Sequence, residues 1–135
     1  MKYIITLLLS IYSVSSLASD FSVDDVLIIE KSNTSMMNFS FENGSDIEPR
    51  RSDFEIINQI LMSNNKGERW ATVTLKNVSS GQRIFETNHL MAVFANGDKQ
   101  YPTSNEIKLS GGESASYTLY FGVHKFPILY VYTRN

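Results

Sequence analysis

Few residues in this chain are of a type and spacing that could do chemistry. His89 and His124 are the only two histidines among 135 residues, and there is no cysteine. A metal site needs three or four convergent donors, and neither histidine has a close histidine or cysteine companion. His89 follows Glu86 by three residues and His124 stands beside Lys125, so each reads as a surface or strand-end residue. Asp24, Asp25 and Glu30, and separately Asp46 with Glu48, offer carboxylates for acid–base work or for Ca²⁺. Neither set has the alternating Asp/Asn spacing and closing Glu of a calcium loop. A glycosidase pair is drawn from distant parts of a chain and leaves no local signature. The expectation for these carboxylates is solvated loop charge. Serines are plentiful, but no G-x-S-x-G elbow aims one, and Gly111-Gly112 lacks the following Lys-Ser or Lys-Thr of a phosphate loop. The absence of cysteine removes disulfides, thiolate metal sites, a thiol nucleophile and a lipobox. No catalytic residue, cofactor or metal is expected.

Aromatic residues are the better lead. Seven Tyr, eight Phe and one Trp make 12% of the chain, and Tyr117, Tyr120, Tyr130 and Tyr132 crowd its C-terminal third. On a strand, Tyr130 and Tyr132 share one face while Leu129 and Val131 take the other. Tyr120 is out of phase with Tyr117 and Leu119, so it faces outward if they face the core. Tyr120, Tyr130 and Tyr132 are therefore the candidate partner-binding residues. A tyrosine strip offers apolar area and a hydroxyl at small entropy cost, which suits a glycan or a protein partner. The competing role is ordinary cross-strand pairing.

The elements that must carry these residues are strands. Ala71, Val73 and Leu75 alternate with Thr72, Thr74 and Lys76; Ala115, Tyr117, Leu119 and Phe121 alternate with Ser114, Ser116, Thr118 and Tyr120. Met37, Phe39 and Phe41 alternate in the same way, and residues 21–30 (FSVDDVLIIE) form a β-branched-rich run. Residues 90–95 are continuously apolar, as in a central strand covered on both faces. Asn96-Gly97-Asp98 then predicts a type I′ turn and a return strand from Lys99 to Tyr101. Residues 128–133 close the chain as a last strand. Residues 53–62 carry two patterns. Ser52-x-x-Glu55 has capping-box form with Phe54, Ile57 and Leu61 at helical spacing. A hairpin through residues 63–67 into residues 69–77 favours a strand. Turn residues fall between the runs, and residues 44–52 should be the least ordered.

Residues 1–18 read as a secretory signal peptide. Lys2 gives a positive start, residues 4–14 an apolar stretch, and Ser16-Leu17-Ala18 the small residues of a cleavage site. The stretch is shorter than the roughly 20 apolar residues a membrane span requires. Residues 19–135 are then one exported domain, periplasmic or secreted, with no second span. Twelve Lys and Arg against 14 Asp and Glu leave no basic excess for nucleic acid. Asn-x-Ser/Thr sequons at Asn33, Asn38, Asn43 and Asn77 matter only where the source glycosylates them.

Residues 70–123 carry a resemblance. ATVTLKNVSSGQ, LMAVFANGDKQYP and IKLSGGESASYTLYFGV present Asn77-Val78-Ser79 at a strand end, an Asn96-Gly97-Asp98 turn, and Gly112-Glu113-Ser114 leading a long strand to Phe121. This is similar to short exported bacterial proteins of unknown function with a single immunoglobulin-like β-sandwich domain. The resemblance implies an all-β, antiparallel sandwich and says nothing of function, since such sandwiches host unrelated roles.

The function these observations point to is a non-enzymatic binding or accessory protein that meets an envelope protein or glycan. Residues 128–133 would supply an exposed edge, uncharged until Arg134, for a partner strand. A surface-fibre or adhesin subunit, with residues 21–30 as donor strand, is one alternative, although the usual disulfide is missing. A small envelope hydrolase is the other.

Overall fold

A computed structural model describes residues 22–30, 39–42, 44–103 and 106–135. The expected signal peptide, Met37 and the sequons at Asn33, Asn38 and Asn43 lie outside these residues. The described chain is all-β, with antiparallel sheets. Strands β1 (Ile28–Ile29), β2 (Phe54–Ser63), β3 (Glu68–Asn77) and β8 (Ser114–Val123) form a four-stranded sheet in the order β1-β2-β3-β8. Strands β4 (Arg83–Phe85) and β7 (Ile107–Leu109) pair with each other. Strands β5 (Leu90–Phe94), β6 (Lys99–Gln100) and β9 (Ile128–Thr133) form a third sheet in the order β6-β5-β9.

Alternation set the faces as expected in β3 and β8. Ala71, Val73, Leu75, Leu119 and Phe121 are fully buried, and the register puts Ala71 opposite Leu119 and Thr72 opposite Thr118. On the outer face Thr72 and Thr118 share a 2.8 Å hydrogen bond, as do Thr74 and Ser116. Residues 54–63 are strand, and a bulge explains why their pattern also looked helical. The register shifts between Ile56 and Asn58, which leaves Ile57 55% exposed while Phe54 and Leu61 stay inside. One extra residue in a strand moves the later apolar positions out of simple alternation. The hairpin turn to β3 is held by Asn64, whose side chain accepts from the N–H of Lys66 and of Glu68, each at 3.1 Å.

Every residue of β5 is buried, so the central covered strand is where the apolar run placed it. Leu90, Ala92 and Phe94 join one core with residues from all three sheets, including Phe54, Phe85, Leu109, Leu119 and Val131. Met91 and Val93 turn to the opposite face, opposite Tyr132 and Tyr130. The β5–β6 hairpin forms, but not with the two-residue turn. Gly97 N–H donates to Phe94 O and Phe94 N–H to Asp98 O, each at 2.9 Å, which closes a three-residue loop with Gly97 at φ +90°. That is the commoner longer solution, with Gly in the left-handed position.

Three further expectations fail. Of the expected strand 21–30, the described residues 22–30 do not make one strand: Val23–Asp25 is a 3₁₀ turn capped by Ser22 Oγ, and among them Ile28–Ile29 is the strand. Phe39–Phe41 is irregular, because its aromatic rings pack onto the third sheet instead of extending it. Residues 44–52 are tied down as well as irregular: Pro49 is buried, Arg51 bridges Arg134, and Ser52 N–H donates to Arg134 O at 2.8 Å.

Two of the three motif elements meet at one end of the fold. Asn77 is fully buried; its Nδ2 reaches the carbonyls of Gly81, Leu109 and Ser110 at 2.8–3.1 Å, and its Oδ1 accepts from Ser79 N–H and Oγ–H. Gly112 N–H donates to Asn77 O, and Asn77 N–H to Glu113 O, each at 2.9 Å. Position 111 must be glycine here, since a Cβ would stand 2.3 Å from Ser80 O. With its amide fully engaged, Asn77 serves this junction.

Candidate binding groove

Val131 points into the core, so its neighbours Tyr130 and Tyr132 stand on the outer face of the β6-β5-β9 sheet. Residues 39–42 and 44–48 cross that face and make a groove with them. The crossing needs Gly97: a Cβ there would lie 2.8 Å from the Phe41 ring. Phe39 lies nearly parallel to Tyr130, with centroids 6.1 Å apart and planes 14° apart. Tyr130 and Tyr132 follow at 5.7 Å. The groove encloses 390 Å³ and has Ser40, Ser45, Asp46, Glu48 and Lys99 among its polar walls. That volume is at the small end of the usual range for ligand sites.

Glu48 organises the polar side. It accepts from Lys99 Nζ at 2.7 Å and from the Tyr132 hydroxyl at 3.0 Å, while Lys99 also donates to Ile47 O at 3.1 Å. The Lys99 hydrogen bond holds the Glu48 carboxyl below its ordinary pKa. Burial works most strongly on the Lys99 charge and against it, but the hydrogen bonds and charges of Glu48 and Tyr132 together outweigh it and the ammonium pKa is raised. Burial raises the Tyr132 phenol. All three effects fix a neutral phenol beside a carboxylate–ammonium pair at physiological pH. Lys99 Nζ also lies 5.7 Å from the centre of the Tyr132 ring. The arrangement offers aromatic faces beside fixed donors and acceptors.

Tyr120 is not part of it. It stands on the outer face of the four-stranded sheet, 4.3 Å from Trp70, with its hydroxyl 3.4 Å from Glu68. The three candidate tyrosines therefore divide between two sheets. The edge expected at residues 128–133 is also occupied. The Gln59 side chain accepts from Val131 N–H at 2.8 Å and donates to Val131 O at 3.3 Å, copying a strand partner with a single amide.

The other candidates stay apart. His89 is buried against Phe54 and Phe85, and its Nδ1 accepts from Glu86 N–H at 3.0 Å. His124 stacks on Phe94 at 3.8 Å, with Nε2 3.1 Å from Asp98. Asp25 pairs with Lys66, and Glu30 with Arg69 at 2.9 Å. Among the described residues no three His, Asp or Glu converge as a metal site, and no helix is long and apolar enough to cross a membrane. Lys99 was within reach of sequence reasoning only with the right loop length: the expected two-residue turn would set it opposite Phe94, on the core face, and the observed three-residue loop sets it opposite Val93. Phe39 and Glu48 were not: the alternation at Phe39 predicts a strand that does not form there, and Glu48 lies in a segment with no periodicity. No family model, curated protein or solved structure matches the chain.

Proposed function

We propose that this is an exported, non-enzymatic binding protein built on an immunoglobulin-like sandwich, and that its groove takes a neutral saccharide of the cell envelope. The observation that carries this reading is the convergence of Tyr130 and Tyr132 with Phe39, Lys99 and Glu48 in one groove. A sugar ring has an apolar C–H face that suits an aromatic wall, and vicinal hydroxyls that suit a carboxylate–ammonium pair. Asp46 and Glu48 against Lys99 leave the walls with a negative excess, which disfavours an anionic ligand. The cleavable N-terminal pattern supplies the route out of the cytoplasm.

Two measurements test it. Intact mass of protein recovered from the envelope fraction should correspond to a chain beginning at Ser19; retained Met1, or recovery only from cytosol, contradicts export. On a glycan array, the same protein should bind a subset of neutral saccharides, and Tyr130→Ala should weaken that signal about tenfold or more. Tyr120→Ala, on the other sheet, should leave it unchanged. Equal loss in the two variants, or no saccharide bound by the parent, contradicts the groove as the site.

A further inference from the structure

We propose that the protein pairs with a second copy of itself through the open edge of β1. Val26, Leu27, Ile28 and Ile29 form an uncharged apolar run, and they are 40, 37, 59 and 62% exposed. Ile28 and Ile29 are the outermost strand of the four-stranded sheet, and Val26 and Leu27 lead directly into it. Among the described residues only one side of β1 is used. Ile28 is opposite Ser63, Ile29 is opposite Met62, and Glu30 N–H donates to Leu61 O at 2.8 Å. Hydrogen-bonding direction alternates along an antiparallel strand, so with Ile28 and Glu30 turned toward β2, the N–H and C=O of Leu27 and Ile29 turn to the open side. Folded proteins guard such edges with charge, proline or a bulge, and none of these four residues does so.

Two further observations select a second copy as the occupant. The register carries Ile29, Met62, Trp70 and Tyr120 across all four strands as one row on the outer face. The acidic residues that flank the run are engaged within their own chain: Asp24 with Asn65, Asp25 with Lys66, Glu30 with Arg69. Approach of a like strand therefore meets apolar residues and compensated charge. A two-fold axis through Ile28 sets Leu27 opposite Ile29 of the second copy, and Ile29 opposite its Leu27. That register satisfies the outward backbone groups of both copies, joins the two sheets edge to edge and brings the two apolar rows together. The interface is isologous and closes on itself, so it gives a dimer and not a fibre.

The chain has no cysteine, which makes the test direct. The Ile28 residues of the two copies would form a non-hydrogen-bonded pair with Cα atoms about 4.5 Å apart, within disulfide range. Under mild oxidation the otherwise native protein carrying Ile28→Cys should convert to a disulfide-linked dimer. Val23→Cys, at a position 79% exposed but outside the strand, should convert at least about tenfold more slowly. In sedimentation velocity the parent should show a concentration-dependent monomer–dimer equilibrium. Leu27→Lys, which sets like charge about the axis, should weaken it at least about tenfold with unchanged circular dichroism. Ile60→Lys, on the same face but away from the edge, should not. A parent that is monomeric at all concentrations, or equal cross-linking at positions 23 and 28, overturns the proposal. So does a dimer indifferent to Leu27→Lys.

Discussion

His89 shows how a residue that looked chemical becomes structural. Burial, and then the nearby Arg50 charge, lower its pKa below the usual value of about 6.5. The unfolded chain then takes up a proton at a higher pH than the folded one, so stability rises with pH through this window. Lowering pH from about 7.5 to 5.5 should destabilise the protein, by no more than about 1.4 kcal/mol per pH unit from this group. His89→Gln should flatten that part of the profile in denaturant titrations; an unchanged slope would place its origin elsewhere. Asn77 teaches the converse. Its place in a strand-end motif was visible in the sequence, but its bonds to the two distant carbonyls of Leu109 and Ser110 were not, since these reach it only through the fold.

Strands were legible where a side chain had only two faces to choose between. Alternation placed Leu119 inside and Thr118 outside, and the long apolar run marked β5 as a covered strand. Leu119→Ala should cost about 2–5 kcal/mol in equilibrium unfolding, and Thr118→Ala about 1 kcal/mol or less. Comparable losses would contradict the observed phase of β8. Alternation fails at irregularities. The bulge at Ile57 mimicked helical spacing, and the apolar stretch 26–29 read as an ordinary strand although it lies exposed at an edge. The edge of β9 could not be judged from its own sequence, because the group that closes it is the Gln59 amide, 72 residues away.

At the scale of the whole molecule, one core joins the three sheets, and the surfaces left over divide the possible roles. The outer face of the β6-β5-β9 sheet carries the groove; the edge of the four-stranded sheet carries β1. Half of the groove was legible, since Tyr130 and Tyr132 were placed on one outer face by alternation. The other half comes from residues 39–42 and 44–48, whose path is set by the gap at Gly97 and by the Glu48 carboxylate, neither of which has a periodic signature. The most direct test of saccharide recognition is to titrate the isotope-labelled protein with neutral oligosaccharides and follow its amide resonances. Saturable shifts centred on Phe39, Glu48, Gly97, Lys99, Tyr130 and Tyr132 are the predicted result. Shifts centred on Trp70 and Tyr120, or none for any saccharide, would contradict it.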